Sequence, residues 1–478
     1  MNPKTETYHS IIAGQVHPSD ALTPAMVIRN PWDHSLTGTV AMISKENLNQ
    51  AVESACRGFS KTRALQSYER AHILSFISKK IKDHKEEFAN LITSEIGKPI
   101  QFSRLEVDRA VFNFQYAADE TMRMGGEVLP LDLSVSSRDR FGIVSRFPLG
   151  VILCIAPFNF PLNLVAHKIA PAIASGNAFI LKPSPQAPLT SLKLGEIIRE
   201  SGYPLEAFSV VVCSNENAQT LVTDDRIQML SFTGSASVGW KLKALAGKKK
   251  VLLELGGNAG VIIDESAVID AAVQKNVMGS FASSGQVCIK VQRIFVHEKL
   301  FDEYLGKFIE AARGLQCGDP RDPETVIGPL IDDAAVARIS QWIEDAASEG
   351  ASKMYGGNYA GRVFEPTVIV NVPATCAVAT EEIFGPVVTI NPFRTFDDAL
   401  AGVNDSRFGL QAGVFTNDFQ NIRRAYNELE VGAVIINDNP TYRMDHMPYG
   451  GVKDSGFGRE GVKYAMEAMS EPKLLALS

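Results

Sequence analysis

Hydrophobic and polar residues alternate along the middle of the chain with two different periods. Between residues 150 and 256, short apolar runs such as GVILCIAP, AFILKPS, IQMLSFTG and KKVLLELGG predict strands. The stretches between them, among them PLNLVAHKIAPAIASG and LTSLKLGEIIRESG, have helical spacing and end at glycine. Strands that alternate with such helices predict βαβ units and a parallel sheet, which binds ligands beyond the carboxyl ends of its strands.

The flanking regions extend this pattern. Residues 45–120 are rich in helical periodicity, and the run 69–98 is expected to end near Gly97 and Pro99. Residues 257–440 predict a second α/β unit with helices at 267–283 and 300–314. Residues 124–146 and the apolar tail predict strands that pair with each other, pair across subunits or form ordinary edges of a sheet.

Composition limits the class of protein. The 478 residues are 45% hydrophobic, which is enough for two or three domains with large cores. The net charge of −7, with both signs interspersed, argues against a nucleic-acid partner. The one compact basic run, residues 248–250, is more typical of a solvated turn than of a binding patch.

The first residues, the longest apolar run and the cysteines bear on the cellular location of the protein. The start, MNPKTETYHSII, lacks the apolar segment of a signal peptide, and the run GVILCIAPFNFPLNLVA contains too many prolines and asparagines for a membrane span. The six cysteines are scattered, without a CxxC pair or zinc-like spacing. We therefore expect a cytoplasmic protein with reduced thiols, no membrane partner and no metal site.

Cys288 and Glu254 are the candidates for covalent and acid–base chemistry. Cys288 follows the flexible residues SSGQV, so its thiol is either a small buried hydrophobe or a nucleophile. Glu254 ends an otherwise apolar strand, where a carboxylate forms an ion pair, caps a loop or acts as a general base with a raised pKa. The eight histidines offer no obvious alternative base.

Other polar residues follow neighbouring strands. Asn159 lies in the apolar run IAPFNFPLN and is expected either to cap the next helix or to donate to an oxyanion. Lys182 ends the strand AFILK, either in solvent or holding a ribose or a phosphate. Gly234 and Ser235 open a helix, as a plain turn or as an anion site. All of these residues are expected at one ligand crevice.

Seven stretches together resemble the aldehyde dehydrogenase superfamily: PFNFP, LKPS, FTGSASVG, LELGGN, GQVC, EEIFGPV and PYGGVKDSGFGREG. Their order and separations match from about residue 15 to the end of the chain. The loop NPTYRMDHMPYGG is similar to the branch of lactaldehyde, non-phosphorylating glyceraldehyde-3-phosphate and phosphonoacetaldehyde dehydrogenases.

The resemblance implies an α/β fold in three parts. A Rossmann-type nucleotide-binding domain is expected at 1–123 and 142–255, and a catalytic α/β domain at 256–445. A β-strand oligomerisation arm is expected at 124–141 and 462–478. The resemblance also implies a homodimer or homotetramer.

The resemblance assigns roles by position. Cys288 matches the nucleophile, Glu254 the general base, and Asn159, with the backbone N–H of Cys288, the oxyanion donors. The implied cofactor contacts are Ile155, Ala156, Pro157, Phe158, Lys182, Ser184, Gly234, Ser235, Val238, Leu255, Glu382 and Phe384.

Two departures bear on specificity. Many NAD-preferring relatives have a glutamate three positions after the lysine that matches Lys182, whereas this chain has Pro185, which favours NADP over NAD. Arg443 matches an arginine that faces an anionic or hydroxylated substrate tail, and Arg109 is a second candidate. Val287 stands where phosphate-binding members often have arginine, which weakens the case for a phosphorylated substrate.

The predicted function is therefore NAD(P)-dependent oxidation of a small hydroxylated or anionic aldehyde to the carboxylate. The aldehyde would form a thiohemiacetal and then a thioester on Cys288, which water would hydrolyse. CoA-acylating oxidation is an alternative, but relatives of that type usually lack the base that matches Glu254. A catalytically silent structural protein on the same fold is a further alternative, against which Cys288, Glu254 and Asn159 argue.

Overall fold

The computed structural model describes residues 7–17 and 25–478. Its α-helices are α1 (Lys45–Thr62), α2 (Ser67–Asp83), α3 (Lys85–Ile96), α4 (Ile100–Thr121), α5 (Asn163–Ala174), α6 (Leu189–Glu200), α7 (Asn215–Thr223), α8 (Ala236–Leu245), α9 (Ile269–Phe281), α10 (Phe301–Arg313), α11 (Asp333–Ser348), α12 (Ala377–Thr380), α13 (Phe396–Asn404), α14 (Phe419–Glu428) and α15 (Val462–Ala468).

The strands are β1 (Thr7–Tyr8), β2 (Ile11–Ile12), β3 (Gln15–Val16), β4 (Ala25–Arg29), β5 (Leu36–Ala41), β6 (Glu127–Pro130), β7 (Phe141–Pro148), β8 (Val151–Ile155), β9 (Ala178–Lys182), β10 (Phe208–Val210), β11 (Ile227–Thr233), β12 (Lys250–Glu254), β13 (Gly260–Ile263), β14 (Arg293–His297), β15 (Ser352–Tyr355), β16 (Tyr359–Ala360), β17 (Val363–Phe364), β18 (Thr367–Val370), β19 (Val387–Phe393), β20 (Phe408–Gly409), β21 (Gln411–Phe415), β22 (Ala433–Ile436), β23 (Val452–Lys453), β24 (Gly456–Phe457) and β25 (Ser470–Leu477).

The helical region near the start of the chain forms as the periodicity predicts, with one break. The run 69–98 is divided between α2 and α3, which meet at His84. Helix α3 ends at Gly97, whose φ of +69° is the left-handed conformation that glycine adopts at helix ends. Pro99 follows and precedes α4, the long helix that packs against α2, α3 and α5.

The first large sheet has the order β24-β12-β11-β8-β9-β10-β2-β3. Strands β12, β11, β8, β9 and β10 are parallel, as the alternating pattern predicts. Strands β8 and β9 are buried along their whole length, because helices cover both faces of such a sheet. The carboxyl ends of β8, β9, β11 and β12 therefore meet at one edge, where the polar candidates were expected.

The second large sheet has the order β15-β18-β19-β14-β13-β21-β22 and is parallel except at β15. The predicted helices 267–283 and 300–314 form as α9 and α10 and pack on each other. The second α/β unit is thus present, and because Gly260 pairs with Arg293 in the parallel strands β13 and β14, the segments that precede these two strands lie at the same end of the sheet. Within residues 7–17 and 25–478, none of the helices has the length and apolar character that a membrane crossing requires.

A three-stranded sheet, β25-β7-β6, joins the two segments that were expected to be extended. Strand β25 pairs antiparallel with β7 from Ser470 opposite Pro148 to Leu477 opposite Phe141. Of the alternatives that the sequence left open, pairing with each other within one chain is the one observed. The division of the chain into three domains at the predicted boundaries stays a prediction, and residues 1–6 and 18–24 of the predicted nucleotide-binding domain lie outside the described part of the chain.

Candidate active site

A cavity of about 860 Å³ lies between the two large sheets. Residues that follow β8, β9, β11 and β12 form one wall, and residues 338–408 form much of the other. The lining includes Cys288 and Asn159 together with every expected cofactor contact, namely Ile155, Ala156, Pro157, Phe158, Lys182, Ser184, Gly234, Ser235, Val238, Leu255, Glu382 and Phe384. The fold therefore brings these residues into one place, whereas the predicted residues Glu254, Arg109 and Arg443 are not part of the lining of this cavity.

The start of helix α8 opens into this cavity. Ser235 has extended backbone geometry and precedes the helix, so the first N–H groups of α8 point toward the lining residues. A Cβ atom at Gly234 would lie 2.5 Å from the Phe232 ring, so only glycine fits between that ring and the cavity. The first N–H groups of a helix have no partner within the helix, so a helix start that opens into a cavity suits a pyrophosphate.

Lys182 lies at another part of the lining. Its ammonium group is buried and donates to the Asn215 side chain at 2.9 Å, so the lysine is not the solvated strand end that was one alternative. Burial lowers the pKa of Lys182. Ser184 and Pro185 lie beside it, and the two carboxylates of the lining, Glu381 and Glu382, come from the opposite wall.

Cys288 lies in a loop whose shape is set by backbone geometry. Ser283 and Ser284 have φ values of +52° and +58°, and a Cβ atom at Gly285 would lie 2.4 Å from the Gly385 carbonyl oxygen. The half-buried thiol lies 3.2 Å from the Tyr449 hydroxyl. Burial raises the pKa of Cys288 to about 11, whereas the Tyr449 hydrogen bond and the Arg443 charge act in the opposite direction.

Asn159 lies four residues beyond the end of β8. Its side-chain amide donates to the Gln286 carbonyl at 3.0 Å, which places it beside the loop that carries Cys288. It does not cap helix α5, because the Glu106 carboxylate accepts the N–H groups of Leu162 and Asn163 there instead. An amide nitrogen has two hydrogens, so the second remains available for an oxyanion.

A buried ion pair holds the Asn159 loop in place. The Lys98 ammonium group donates to Glu106 at 2.5 Å and to the Asn159 carbonyl oxygen at 2.8 Å. It also lies 3.4 Å from the centre of the Phe160 ring. Because Glu106 binds the start of α5, the pair holds the short loop between β8 and that helix at Asn159, in its middle, and at its end.

Glu254 is the last residue of β12 and is 2% exposed. Neither of its carboxylate oxygens has a hydrogen-bond partner within the described residues, so it is neither ion-paired nor a loop cap. Burial and the neighbouring Glu460 carboxylate raise the pKa of Glu254 well above its usual range. Glu460 itself binds Lys168 at 2.9 Å. A carboxyl group without a fixed partner can take a proton from water.

Glu382 and Phe384 belong to the loop that faces the ends of β8 and β12. A Glu382 oxygen accepts the Gly257 N–H at 3.1 Å, and burial raises the pKa of Glu382 to about 7. Phe384 has a φ of +50° and packs edge-on against Phe158, with ring centres 5.9 Å apart. A left-handed phenylalanine is costly, and such strain is concentrated at functional sites.

The two arginines proposed to bind a substrate tail meet at one carboxylate. Arg109, on α4, binds Asp445 through two hydrogen bonds of 3.0 and 2.5 Å. Arg443 lies 3.8 Å from Asp445 and stacks on the Tyr449 ring at 3.5 Å from its centre. His167 contacts both Asp445 and Arg443. Burial and the Arg443 charge lower the pKa of His167.

Several residues around the site were not predicted: Lys98, Glu106, His167, Lys168, Asp445, Tyr449 and Glu460. Two of them left a signal in the sequence. Helix α5 is buried at every position, yet it contains the pair His167-Lys168. Polar residues at the centre of a buried helix need partners, and their presence there could have indicated a buried network.

Comparison with known proteins gives a consistent result. The sequence model of the Aldehyde dehydrogenase family matches residues 18–475. A curated relative, the 3-sulfolactaldehyde dehydrogenase of Priestia aryabhattai, is 39% identical over 454 residues, which are 95% of each chain.

Solved structures agree in fold. Aldehyde dehydrogenase 21 from Physcomitrella patens, in complex with the reaction product succinate, is 41% identical, with a TM-score of 0.97 over 99% of this chain and 98% of that one. The glyceraldehyde-3-phosphate dehydrogenase GapN from Methanocaldococcus jannaschii, complexed with NADP, is 36% identical, with a TM-score of 0.92 over 97% and 100%. The expected α/β fold is confirmed.

Proposed function

The chain belongs to the aldehyde dehydrogenase family, and from this premise we propose that it oxidises a small aldehyde with an anionic tail to the carboxylate, with NADP preferred over NAD. As a member of this family it is an oxidoreductase that acts on aldehydes. The proposal concerns the substrate, the preferred cofactor and the residues that carry out the reaction.

The observation that carries the proposal is the position of two guanidinium groups relative to the thiol. Arg443 stacks on Tyr449, whose hydroxyl lies 3.2 Å from the Cys288 sulfur. Arg109 is bound to the same Asp445 and is about one-third exposed. Arg443 therefore lies about one aromatic ring away from the reacting sulfur, and Arg109 is joined to this arrangement through Asp445, which suits an aldehyde with a short acidic tail.

The named relatives support an anionic tail. The structure of aldehyde dehydrogenase 21 holds succinate, a dicarboxylate, and the Priestia aryabhattai enzyme is named for a sulfonated aldehyde. Val287, next to the nucleophile, supports a carboxylate or sulfonate rather than a phosphate. Guanidinium groups bind either anion through paired hydrogen bonds.

Attack on the aldehyde would begin at Cys288. Its thiolate adds to the carbonyl carbon, and the negative charge moves to the carbonyl oxygen. The Asn159 amide and the Cys288 backbone N–H donate to that oxygen. Because Lys98 holds the Asn159 loop before the reaction, little reorganisation is needed when the charge appears.

A bound nicotinamide would supply the hydride acceptor, and the thiohemiacetal on Cys288 would become a thioester when it loses its hydride. Glu254 then removes a proton from the water that attacks the thioester. Its raised pKa, caused by burial, makes it a stronger base than an ordinary carboxylate. The acid product leaves, and Cys288 is regenerated. Glu254 supports transfer to water rather than the alternative transfer to CoA.

The cavity suits a dinucleotide. Gly234 and Ser235 would hold the pyrophosphate at the start of α8, and Lys182 and Ser184 would bind the adenosine ribose. Glu382 would bind the other ribose. With Pro185 beside Lys182, no carboxylate repels a 2′-phosphate there, which supports NADP.

The sheet β25-β7-β6 supports assembly into a homodimer or homotetramer. Its outer residues include Val128, Leu474 and Leu475, which are 70%, 51% and 55% exposed. A strand edge with exposed apolar side chains is a natural pairing surface. We assign the arm to subunit contact on this basis.

The test compares charged and neutral aldehydes with NADP and with NAD. Wild-type enzyme is expected to have a higher kcat/KM for succinic semialdehyde than for propanal. Arg109→Leu should raise KM for succinic semialdehyde by at least about tenfold, the cost of losing a charge-assisted hydrogen bond, and leave propanal unchanged.

Arg104→Leu is the matched control, because Arg104 lies on the same helix and binds Glu86 at the surface. An equal effect of Arg109→Leu on both aldehydes would argue against tail binding. Retained aldehyde oxidation in Cys288→Ser would refute the assignment of Cys288 as the nucleophile.

A further inference from the structure

We propose that Tyr449 is a catalytic residue whose hydroxyl donates a hydrogen bond to the Cys288 thiolate, and that Arg443 beneath its ring strengthens this bond. The inference rests on the proposed role of Cys288 as nucleophile. Two contacts carry it: the hydroxyl lies 3.2 Å from the sulfur, and the guanidinium carbon lies 3.5 Å from the ring centre. The first distance is that of a hydrogen bond to sulfur, and the second is that of a close cation–π contact.

The direction of the hydrogen bond follows from the chemistry of the two groups. A thiolate has no proton and can only accept. Burial raises the pKa of the Tyr449 phenol well above its ordinary value, so the phenol keeps its proton while the thiol ionises. Once Cys288 has lost its proton to solvent, Tyr449 is therefore the donor. A cation against the ring face draws electron density from the phenol and makes it a better donor.

The phenol is held firmly in position. Tyr449 is 3% exposed and packs with Ile289 and Leu410 around Cys288. Its backbone exchanges two hydrogen bonds with Glu460, of 3.0 and 2.6 Å. Because the ring is fixed from both the backbone and the side chain, the hydroxyl needs no rearrangement to meet the thiolate.

Charges of both signs face the thiol. Glu382, from the loop after α12, and Glu254, at the end of β12, disfavour the thiolate. Tyr449 and Arg443, both from the loop before β23, favour it. Since burial already holds the thiol in its neutral form, the Tyr449–Arg443 pair is the part of the site that opposes burial and the two carboxylates. A hydrogen bond to a charged group should lower the thiol pKa by roughly one to two units.

This contribution is confined to the step before attack. When sulfur bonds to carbon, its charge moves to the carbonyl oxygen, where Asn159 receives it. Tyr449 therefore increases the population of the thiolate but not its intrinsic reactivity. A thiolate without this donor is scarcer at neutral pH and more nucleophilic where it exists.

The experiment measures the alkylation of Cys288 by iodoacetamide from neutral to alkaline pH, with mass spectrometry identifying the modified cysteine. In Tyr449→Phe the midpoint of the alkylation rate against pH, which reports the pKa of the Cys288 thiol, should rise by roughly one to two pH units. At neutral pH the rate should fall roughly 3- to 15-fold, because the thiolate population falls roughly 10- to 100-fold and higher nucleophilicity offsets about half of that fall on a logarithmic scale. Above both midpoints the variant should react faster, so the two profiles cross.

Tyr442→Phe is the matched control, because Tyr442 lies on the same loop with its ring about half exposed. Its profile should equal that of the wild type. A wild-type midpoint in Tyr449→Phe would overturn the inference, since a purely structural role for the ring would leave the thiol pKa unchanged.

A second replacement guards against misfolding. 3-Fluorotyrosine at position 449 keeps the shape of the ring and is a stronger donor, so it should move the midpoint in the opposite direction, to lower pH. A shift in the same direction as Tyr449→Phe would also overturn the inference. Failure of the proposed function has a different result, namely oxidation that survives Cys288→Ser.

Discussion

Replacing Lys98 by methionine should separate the stability of this enzyme from its catalysis. Methionine keeps most of the length of the side chain and removes the charge. Three contacts are lost: the ion pair with Glu106, the hydrogen bond to the Asn159 carbonyl, and the contact with the Phe160 ring. All of them are buried, so water cannot easily take the place of the ammonium group.

The size of the effect follows from what Glu106 keeps. One of its oxygens still accepts the N–H groups of Leu162 and Asn163, at 2.9 and 3.1 Å, but the other loses the Lys98 ammonium group to which it is paired. Breaking a buried pair in this way costs about 3–5 kcal/mol of stability. For a domain of 150–250 residues this corresponds to a fall in melting temperature of roughly 6–20 °C.

The double variant Lys98→Met/Glu106→Gln tests the reasoning. Glutamine is neutral and keeps an oxygen for the N–H groups at the start of α5, so most of the lost melting temperature should return. The Asn159 carbonyl still lacks its donor, so the oxyanion loop stays less well held. The rate of the first turnover should therefore stay below the wild-type rate in the double variant. The loss should be smaller than the roughly 100- to 1,000-fold expected for removing an oxyanion donor outright.

Melting temperature is followed by differential scanning fluorimetry, and the first turnover by the rapid formation of reduced cofactor at 340 nm. If Glu106→Gln restores neither property, the ion pair is not the cause of the loss. If it restores both together, Lys98 has no separate role in holding Asn159.

Two further predictions concern the base and the cofactor. Glu254→Gln should slow steady-state turnover while the initial burst of reduced cofactor persists, and loss of the burst would contradict the role in thioester hydrolysis. In the wild type, thioester hydrolysis should accelerate as pH rises through the raised pKa of Glu254, because only the ionised carboxylate acts as a base. This acceleration with pH should be absent from the glutamine variant. Pro185→Glu should lower kcat/KM for NADP relative to NAD, because a carboxylate would repel the 2′-phosphate beside Lys182. If the ratio of kcat/KM for NADP to kcat/KM for NAD does not change, the adenosine ribose does not bind beside Lys182 and position 185.

Much of the fold and part of the site could be predicted because their signals are local. Strand and helix periods are properties of neighbouring residues. The alternation of strands and helices from β8 to β12 can therefore be recognised directly in the sequence. Lys182 and Glu254 end their strands, and parallel strands bring such ends to one edge. The paired arm segments were also visible as extended runs, although their partners were not.

The remaining part of the site depends on partners that lie far apart in the chain. Lys98 and Asn159 are 61 residues apart, Cys288 and Tyr449 are 161 apart, and Arg109 and Asp445 are 336 apart. No local pattern indicates which buried charge meets which carboxylate. The expectation that Arg443 and Arg109 bind the substrate tail did not include the Asp445 carboxylate, which binds Arg109 and lies 3.8 Å from Arg443.

The sequence by itself therefore determined the order of strands and helices and the family, and it supplied the thiol, carboxylate and amide that we propose for the reaction. Only the tertiary structure decided which groups surround them: the phenol and guanidinium next to Cys288, the ion pair that holds Asn159, and the absence of a hydrogen-bond partner for Glu254 among the described residues. The physical reason is that reactivity depends on burial and on distances of a few ångströms between charges, which arise only when remote segments pack together.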